Sequence, residues 1–350
     1  MGPDTKVDWF VAEFQKHATF GEEGEASAFV GLAIDHSKET GETKLSCPVL
    51  IDKLVRNMGE YLKGRYNRRT PARASRTYVK ATDEEFEEAK HLPLPNIVGA
   101  CLFASNWCRP DITSAVAMLS CHMTKWSKDH FDGALDLVMY LRATRSEGIM
   151  FGRADEPQDL LVAWADSDLG ADPATRRPRT GWVIKCGGGP LDWMSSLQKT
   201  NMDDVTSCEI KAAAKGAKKT RIIYNVMSEI GGQLRPRMAP ILFGDNAAAV
   251  QVNNNLGALG NRVRHLELSH FMTRDLVLSA MLFYLWCSTD KMRADMFTKA
   301  LGRVAFERNR TAVVGYEYKP DTTWEDQARP KRRRSGEGAP GERTPEQGEK

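Results

Sequence analysis

From residue 159 onward the chain changes its hydrophobic period. Three short runs rich in aliphatic and aromatic residues follow one another: DLLVAWADSD (159–168), TGWVIKCGGG (180–189) and PLDWMSS (190–196). Only Gly, Pro and basic turns separate them, which predicts an antiparallel meander. A long helix (203–232) ends on glycines, then comes a strand, PILFGD (240–245). NAAAVQVNN and the stretch 262–279 read as helices, MLFYLWCST (281–289) as a strand, and KMRADMFTKAL (291–301) as a closing helix. The order is β-β-β-α-β-α-α-β-α. Five strands in that order, with helices interleaved only after the meander, predict a mixed α/β sheet with antiparallel and parallel parts and flanking helices.

The first half reads differently. In residues 1–60, FVGLAID (29–35) is an apolar strand candidate. SCPVLIDKLVRNMG (46–59) is a helix with Val49, Leu50, Leu54 and Val55 on one side and Gly59 as its stop. Residues 61–92, centred on RYNRRTPARASR, are polar and basic and read as a linker or exposed loop with little core. Residues 93–150 are helical. LPNIVGACLFASNW is apolar on a helical period, and Pro110 suits a helix start with Asp111 in its first turn. Ile112, Val116 and Leu119 form a stripe, and FDGALDLVMYLRATRS (131–146) is a further amphipathic helix.

Composition bounds the answer without deciding it. The chain has 350 residues, 41% of them hydrophobic and 27% charged, which is ordinary for a globular protein. That length predicts two domains. A net charge of +3 does not call for a nucleic-acid partner, so any such claim must come from sites. Seven cysteines, an odd count without a CxxC pair, fit reduced thiols in an intracellular protein. Neither a signal peptide nor a membrane span is expected, and Lys6 argues against an N-myristoylation reading of Met1-Gly2. The segment 320–350 reads as a disordered tail. Its KRRR (331–334) suits a nuclear-localisation signal or a nucleic-acid tether, or simply a solvated tail, so cytoplasm and nucleus both stay open.

Four acids fall where strands and helices meet: Asp166 at the end of the first strand of the meander, Glu209 near the start of the long helix, Asp245 closing ILFGD, and Asp295 opening the last helix. Strand ends and helix starts converge at one edge of an α/β sheet, so the four can form one cluster. Clustered carboxylates need a cation. Magnesium suits them, with manganese as a substitute. Two such ions about 3.5–4 Å apart can activate a water and stabilise a leaving oxygen in phosphodiester hydrolysis. Each acid also has a plain structural reading. Asp168 and Asp172 suit turns, Glu209 and Asp295 suit first helical turns, and Asp245-Asn246 suits a helix N-cap.

From about residue 10 to 310 the chain resembles the C-terminal part of the pol polyprotein of copia-type LTR retrotransposons. The resemblance is carried by FVGLAID with SCPVLIDKLV, LPNIVGACLFASNWCRPDITSAVAMLS, LVMYLRATRSEGIMF, AWADSDLGAD, RTGWVIKCGGGPLDWMSSLQKT, TSCEIKA, GDNAAAV, RVRHLELSHFMTRDLV and RADMFTKAL, in that order. It implies the end of a reverse-transcriptase palm (1–60) plus a thumb or connection (93–150), followed by a ribonuclease H domain (158–305). The family's acid order of Asp, Glu, Asp, Asp falls on Asp166, Glu209, Asp245 and Asp295. Some positions depart from the family. Lys211 and Ala212 stand where a second acid and an aromatic are usual, Leu169-Gly170-Ala171 stands for Trp-Ala-Gly, and CSTDKMRAD holds no counterpart of a catalytic His. No YVDD-like polymerase motif is present, so polymerisation is not expected.

The resemblance therefore implies a metal-dependent endoribonuclease that cuts the RNA strand of RNA–DNA hybrids, alone or beside the rest of a reverse transcriptase. The competing expectation is an inactive retroelement remnant that at most binds nucleic acid. Arg176, Arg177, Arg179, Arg262, Arg264 and His265, with Asn246, are the candidate contacts to the nucleic acid. For the arginines a solvated turn is an equal reading.

Overall fold

The computed structural model describes residues 9, 12–14, 16–17, 26–153, 159–173, 175–201, 204–232, 235–255 and 271–317. The C-terminal sheet has five strands: β5 (Val162–Asp168), β6 (Arg179–Cys186), β7 (Gly189–Leu197), β8 (Ile241–Gly244) and β9 (Phe283–Trp286). Their order is β7-β6-β5-β8-β9. β5, β6 and β7 are antiparallel, while β8 pairs parallel to β5 and β9 parallel to β8. This is the mixed α/β sheet that the sequence predicts.

Helix α7 (Val205–Ile230) lies across this sheet. Asp204 caps it by accepting from the Ser207 amide at 2.9 Å, and Gly231, at φ +69°, ends it. Its buried face carries Cys208, Ala212, Ala213, Gly216 and Ala217. Small residues let the helix approach closely, and a Cβ on Gly216 would sit 3.1 Å from the Ala165 Cβ. After β8 come α8 (Ala247–Asn254) and α9 (Met272–Leu278), and after β9 the short α10 (Asp295–Thr298).

The N-terminal part forms an antiparallel sheet, β1 (Ala28–Phe29), β2 (Leu32–His36), β3 (Thr43–Ser46) and β4 (Gly148–Phe151). Between β3 and β4 run α1 (Pro48–Asn57), α2 (Gly59–Leu62), α3 (Asp83–Ala89), α4 (Leu94–Trp107), α5 (Thr113–Ser120) and α6 (Lys128–Ala143). Three expectations change here. FVGLAID is a hairpin rather than one strand: Phe29 pairs with Leu32 across Val30 and Gly31, both at positive φ, as a two-residue primed turn requires. In α1 the buried residues are Ile51 and Leu54, whereas Val49 is 76% exposed. Gly59 opens α2 instead of stopping the chain.

The basic stretch is not a bare linker. Arg68 donates to Asp136 at 2.7 and 3.0 Å, Arg73 to the same carboxylate at 3.1 Å, Arg76 to Asp129 at 2.6 Å, and Arg65 pairs with Asp132. All these acids lie on α6. Leu62, Tyr78 and Ala89 are buried in the same core as α6. Helix α3 begins with a capping box in which the Thr82 hydroxyl accepts from the Glu85 amide at 3.2 Å and Glu85 accepts from the Thr82 amide at 2.8 Å. These arginines are therefore paired with acids of α6, and the stretch packs against that helix.

A further helix, α11 (Arg303–Val314), follows α10 and was not anticipated. Phe306 and Val313 reach the N-terminal core, whose buried residues also include Val183, Met296 and Phe297. Arg109, 1% exposed, donates to both oxygens of Asp111 at 2.9 and 2.7 Å and to the Thr144 hydroxyl at 2.6 Å. The Tyr140 hydroxyl donates to Asp111 at 2.6 Å and accepts from Arg310 of α11 at 3.4 Å. All seven cysteines are free. Among the described residues no helix is long and apolar enough to cross a membrane. The KRRR run lies outside the described residues.

Removing one partner of a buried ion pair leaves an uncompensated charge. Asp111→Asn should therefore cost about 3–5 kcal/mol in urea unfolding. A loss below about 1 kcal/mol, the usual value of an exposed pair, would show that this network does not hold the helices together.

Candidate metal centre at the end of β5

Asp166 sits near the C-terminal end of β5, Glu209 in the second turn of α7, and Asp245 just after β8. β5 and β8 are parallel neighbours, so their ends lie side by side. One carboxylate oxygen from each of Asp166, Glu209 and Asp245 lies within 4.8 Å of the others. Asp166 and Glu209 are each 4% exposed.

Neutral donors hold each acid. Thr298 Oγ1 donates to Asp166 Oδ2 at 2.6 Å, the Ser167 amide to Glu209 Oε1 at 3.3 Å, and Thr289 Oγ1 to Asp245 Oδ2 at 3.1 Å. No charge cancellation accompanies these bonds. Burial, then the charge of Asp295, pushes the Asp166 carboxyl up to about 7, against the smaller downward pull of Thr298. Burial, then Asp166 and Asp245, hold the Glu209 carboxyl well above its ordinary range. An all-oxygen donor set with surplus negative charge fits a hard divalent cation such as magnesium.

The fourth acid does not join the mutual cluster. Asp295 opens α10, and its Oδ1 lies 2.8 Å from the Lys299 ammonium, an i,i+4 pair. Its influence on Asp166 is felt through space. α10 lies against Gly181, which is paired across the sheet with Asp166. A Cβ on Gly181 would lie 2.7 Å from the Phe297 Cβ and 2.9 Å from Thr298 Cγ2.

The other anticipated contacts divide. Arg176 and Arg177 are exposed on the loop leaving β5. Arg179 is buried and donates to Ser195 Oγ at 3.2 Å, which takes it away from any surface ligand. Asn246 spends its side-chain oxygen capping α8, accepting from the Ala249 amide at 3.0 Å. Arg262, Arg264 and His265 lie outside the described residues. Lys211, where the family carries an acid, donates to Thr200 Oγ1 at 2.7 Å.

Sequence reasoning missed the residues that brace the acids. Buried Gln198 donates to Ser167 Oγ at 3.1 Å, Thr180 Oγ1 at 3.0 Å and the Cys208 carbonyl at 3.2 Å, tying β5, β6 and α7 together behind the site. Thr298 and Lys299 were visible only as part of RADMFTKAL. Their polar residue types alone carry no signal until α10 is placed on the sheet.

Two outcomes follow from this geometry. The fold holds a proton on Asp166 above its ordinary value of 3.8, so without metal this acid's favourable contribution is complete below that value and is lost as pH rises through about 7. In a chelator at pH 8, Asp166→Asn should raise Tm by about 2–6 °C, and magnesium should stabilise the parent more at pH 8 than at pH 5. Equal melting of parent and variant at pH 8 would count against the raised value. Gly181→Ala should cost about 1–3 kcal/mol by overpacking against α10 and should weaken Mn²⁺ binding. Unaltered unfolding and unaltered affinity would show that α10 is not clamped there.

No protein-family model matches the chain. It is 26% identical over 288 residues to the retrovirus-related Pol polyprotein from transposon TNT 1-94 of Nicotiana tabacum, covering 81% of this chain and 21% of that protein. It is 29% identical over 211 residues to the Pol polyprotein from transposon RE2 of Arabidopsis thaliana, covering 60% of this chain and 14% of that one. The chain thus spans about a fifth or less of the length of these relatives. Among solved structures it is similar to LC11-RNase H1, isolated from compost by a metagenomic approach, with 14% identity and a TM-score of 0.30 over 41% of this chain and 96% of that one. The chain is a homologue of the retrovirus-related Pol polyproteins of copia-type transposons over much of its length, with a mixed α/β domain as its C-terminal part.

Proposed function

We propose that the chain is a metal-dependent ribonuclease H that cuts the RNA strand of an RNA–DNA hybrid. The observation that carries this reading is the convergence of Asp166, Glu209 and Asp245 at one end of the mixed sheet. These three carboxylates would hold the divalent ion, magnesium first among the candidates. When bound, the ion supplies Lewis acidity at a phosphodiester oxygen and offsets charge that develops there.

The residues around it supply position. Thr298 fixes Asp166, the Ser167 amide fixes Glu209, and Thr289 fixes Asp245. Gln198 keeps β5, β6 and α7 in register behind them. The exposed arginines 176 and 177, on the loop that leaves β5, are suited to phosphate contacts that orient the duplex without reading its sequence. Contacts to 2′-hydroxyls across the minor groove would distinguish the RNA strand.

A second reading rests on Lys211 and on the missing histidine counterpart: a remnant that binds nucleic acid without turnover. One experiment separates the two. The full chain is incubated with magnesium and a hybrid labelled on its RNA strand, beside single-stranded RNA and duplex DNA. Cleavage of the RNA strand in the hybrid alone is expected, abolished by chelator and brought to background by Asp166→Asn and by Glu209→Gln. No cleavage, or equal cleavage by Asp166→Asn, overturns the proposal. Binding without turnover that ignores Glu209→Gln favours the remnant.

A further inference from the structure

The fourth acid is the feature that the two-ion expectation leaves unexplained. Asp166, Glu209 and Asp245 offer oxygens within 4.8 Å of one another, and Asp295 is not among them. Its Oδ1 is instead 2.8 Å from the Lys299 ammonium. The pair is closed at the backbone as well, because the Lys299 amide donates to the Asp295 carbonyl at 3.2 Å. Lys299 is the C-cap of α10, and its backbone is already extended there.

The placement of this lysine is not a matter of a mobile surface chain. Thr298, its neighbour, is buried and bonded to Asp166. Phe297 and Thr298 press on Gly181, directly across the sheet from Asp166. The ammonium therefore sits on a segment clamped against the acid cluster, where Asp166, Asp168 and Asp295 all act on its charge.

We propose that Lys299 is the second cation of this site: one divalent ion binds among Asp166, Glu209 and Asp245, and the Lys299 ammonium, held by Asp295, takes the place that a second ion would occupy. Two physical arguments carry it. A second divalent ion that drew on Asp295 would have to displace the ammonium or stand a few ångströms from it, where like charges repel strongly at low dielectric. An ammonium also has three N–H donors. Asp295 pairs with the ammonium by charge, and the side chain is 42% exposed, so its N–H donors can meet a phosphate oxygen of the substrate from the solvent side. Lys299 then acts as a positioning residue for the backbone of the nucleic acid and as a fixed charge beside the ion.

This rests on the metal-binding reading of the acid cluster, but its readout is ion stoichiometry, not cleavage. Mn²⁺ binding to the full chain is counted by electron paramagnetic resonance of the free ion at pH 8, in parallel with Lys299→Met, Lys299→Gln and Lys299→Arg. The parent and Lys299→Arg should bind one ion. Lys299→Met and Lys299→Gln should bind two, with the first ion tighter by about three- to tenfold because a neighbouring positive charge is gone. Two ions in the parent overturn the assignment. So does a single ion in either neutral variant that keeps the parent's circular dichroism and melting. If neither neutral variant folds, the parent's count decides alone. One ion bound without hybrid cleavage contradicts the proposed activity and leaves the Lys299 assignment standing, whereas two ions with cleavage does the reverse.

Discussion

Carboxylates repel one another, and the C-terminal sheet is built around that repulsion. Asp166 and Glu209 are almost fully buried, and Asp245 completes a cluster whose oxygens lie within 4.8 Å of one another. Buried like charges cost several kcal/mol each unless a proton or a cation compensates them. No single contact repays that cost. It is carried by the surrounding frame: parallel pairing of β5 with β8, a small-residue face on α7 that lets it lie close to the sheet, and α10 seated over Gly181. The frame brings the acids together, and that is the condition for a preorganised ion site.

The frame extends beyond the sheet. Val183, Met296, Phe297, Phe306 and Val313 are buried in the same apolar cluster as α1 and α4 to α6. Arg310 of α11 meets Tyr140, which donates to Asp111, which pairs with Arg109. The segment that carries Asp295, Thr298 and Lys299 thus stands between the sheet on one side and the N-terminal helices on the other. Cutting the chain near residue 305 would sever α11 and expose that core, so the support for α10 depends on residues distant in sequence.

Much of this was legible because it follows from period and order. The meander, the long helix and the two later strands announce themselves by alternation, by glycine stops and by spacing, and they carry Asp166, Glu209 and Asp245 to one edge. What was not legible depends on tertiary pairing. RYNRRTPARASR reads as a solvated basic run until α6 presents Asp129, Asp132 and Asp136 to it. FVGLAID reads as one strand because an apolar Val30 conceals a primed turn that Gly31 makes possible. α11 interrupts its apolar positions with Arg303, Glu307, Arg308 and Arg310 and lacks an acidic first turn, so its amphipathic signal is weak. Asp295 was expected in the cluster, whereas its oxygen lies against Lys299, a pairing set by the i,i+4 geometry at the end of a four-residue helix, which residue types alone do not specify.

The central claim is that three acids from β5, α7 and the end of β8 form a divalent-cation site. Anomalous diffraction from crystals grown with Mn²⁺ tests it directly. The account predicts a manganese peak within coordinating distance of Asp166, Glu209 and Asp245. A manganese peak bound elsewhere in the chain, with these three carboxylates left unliganded, would contradict it.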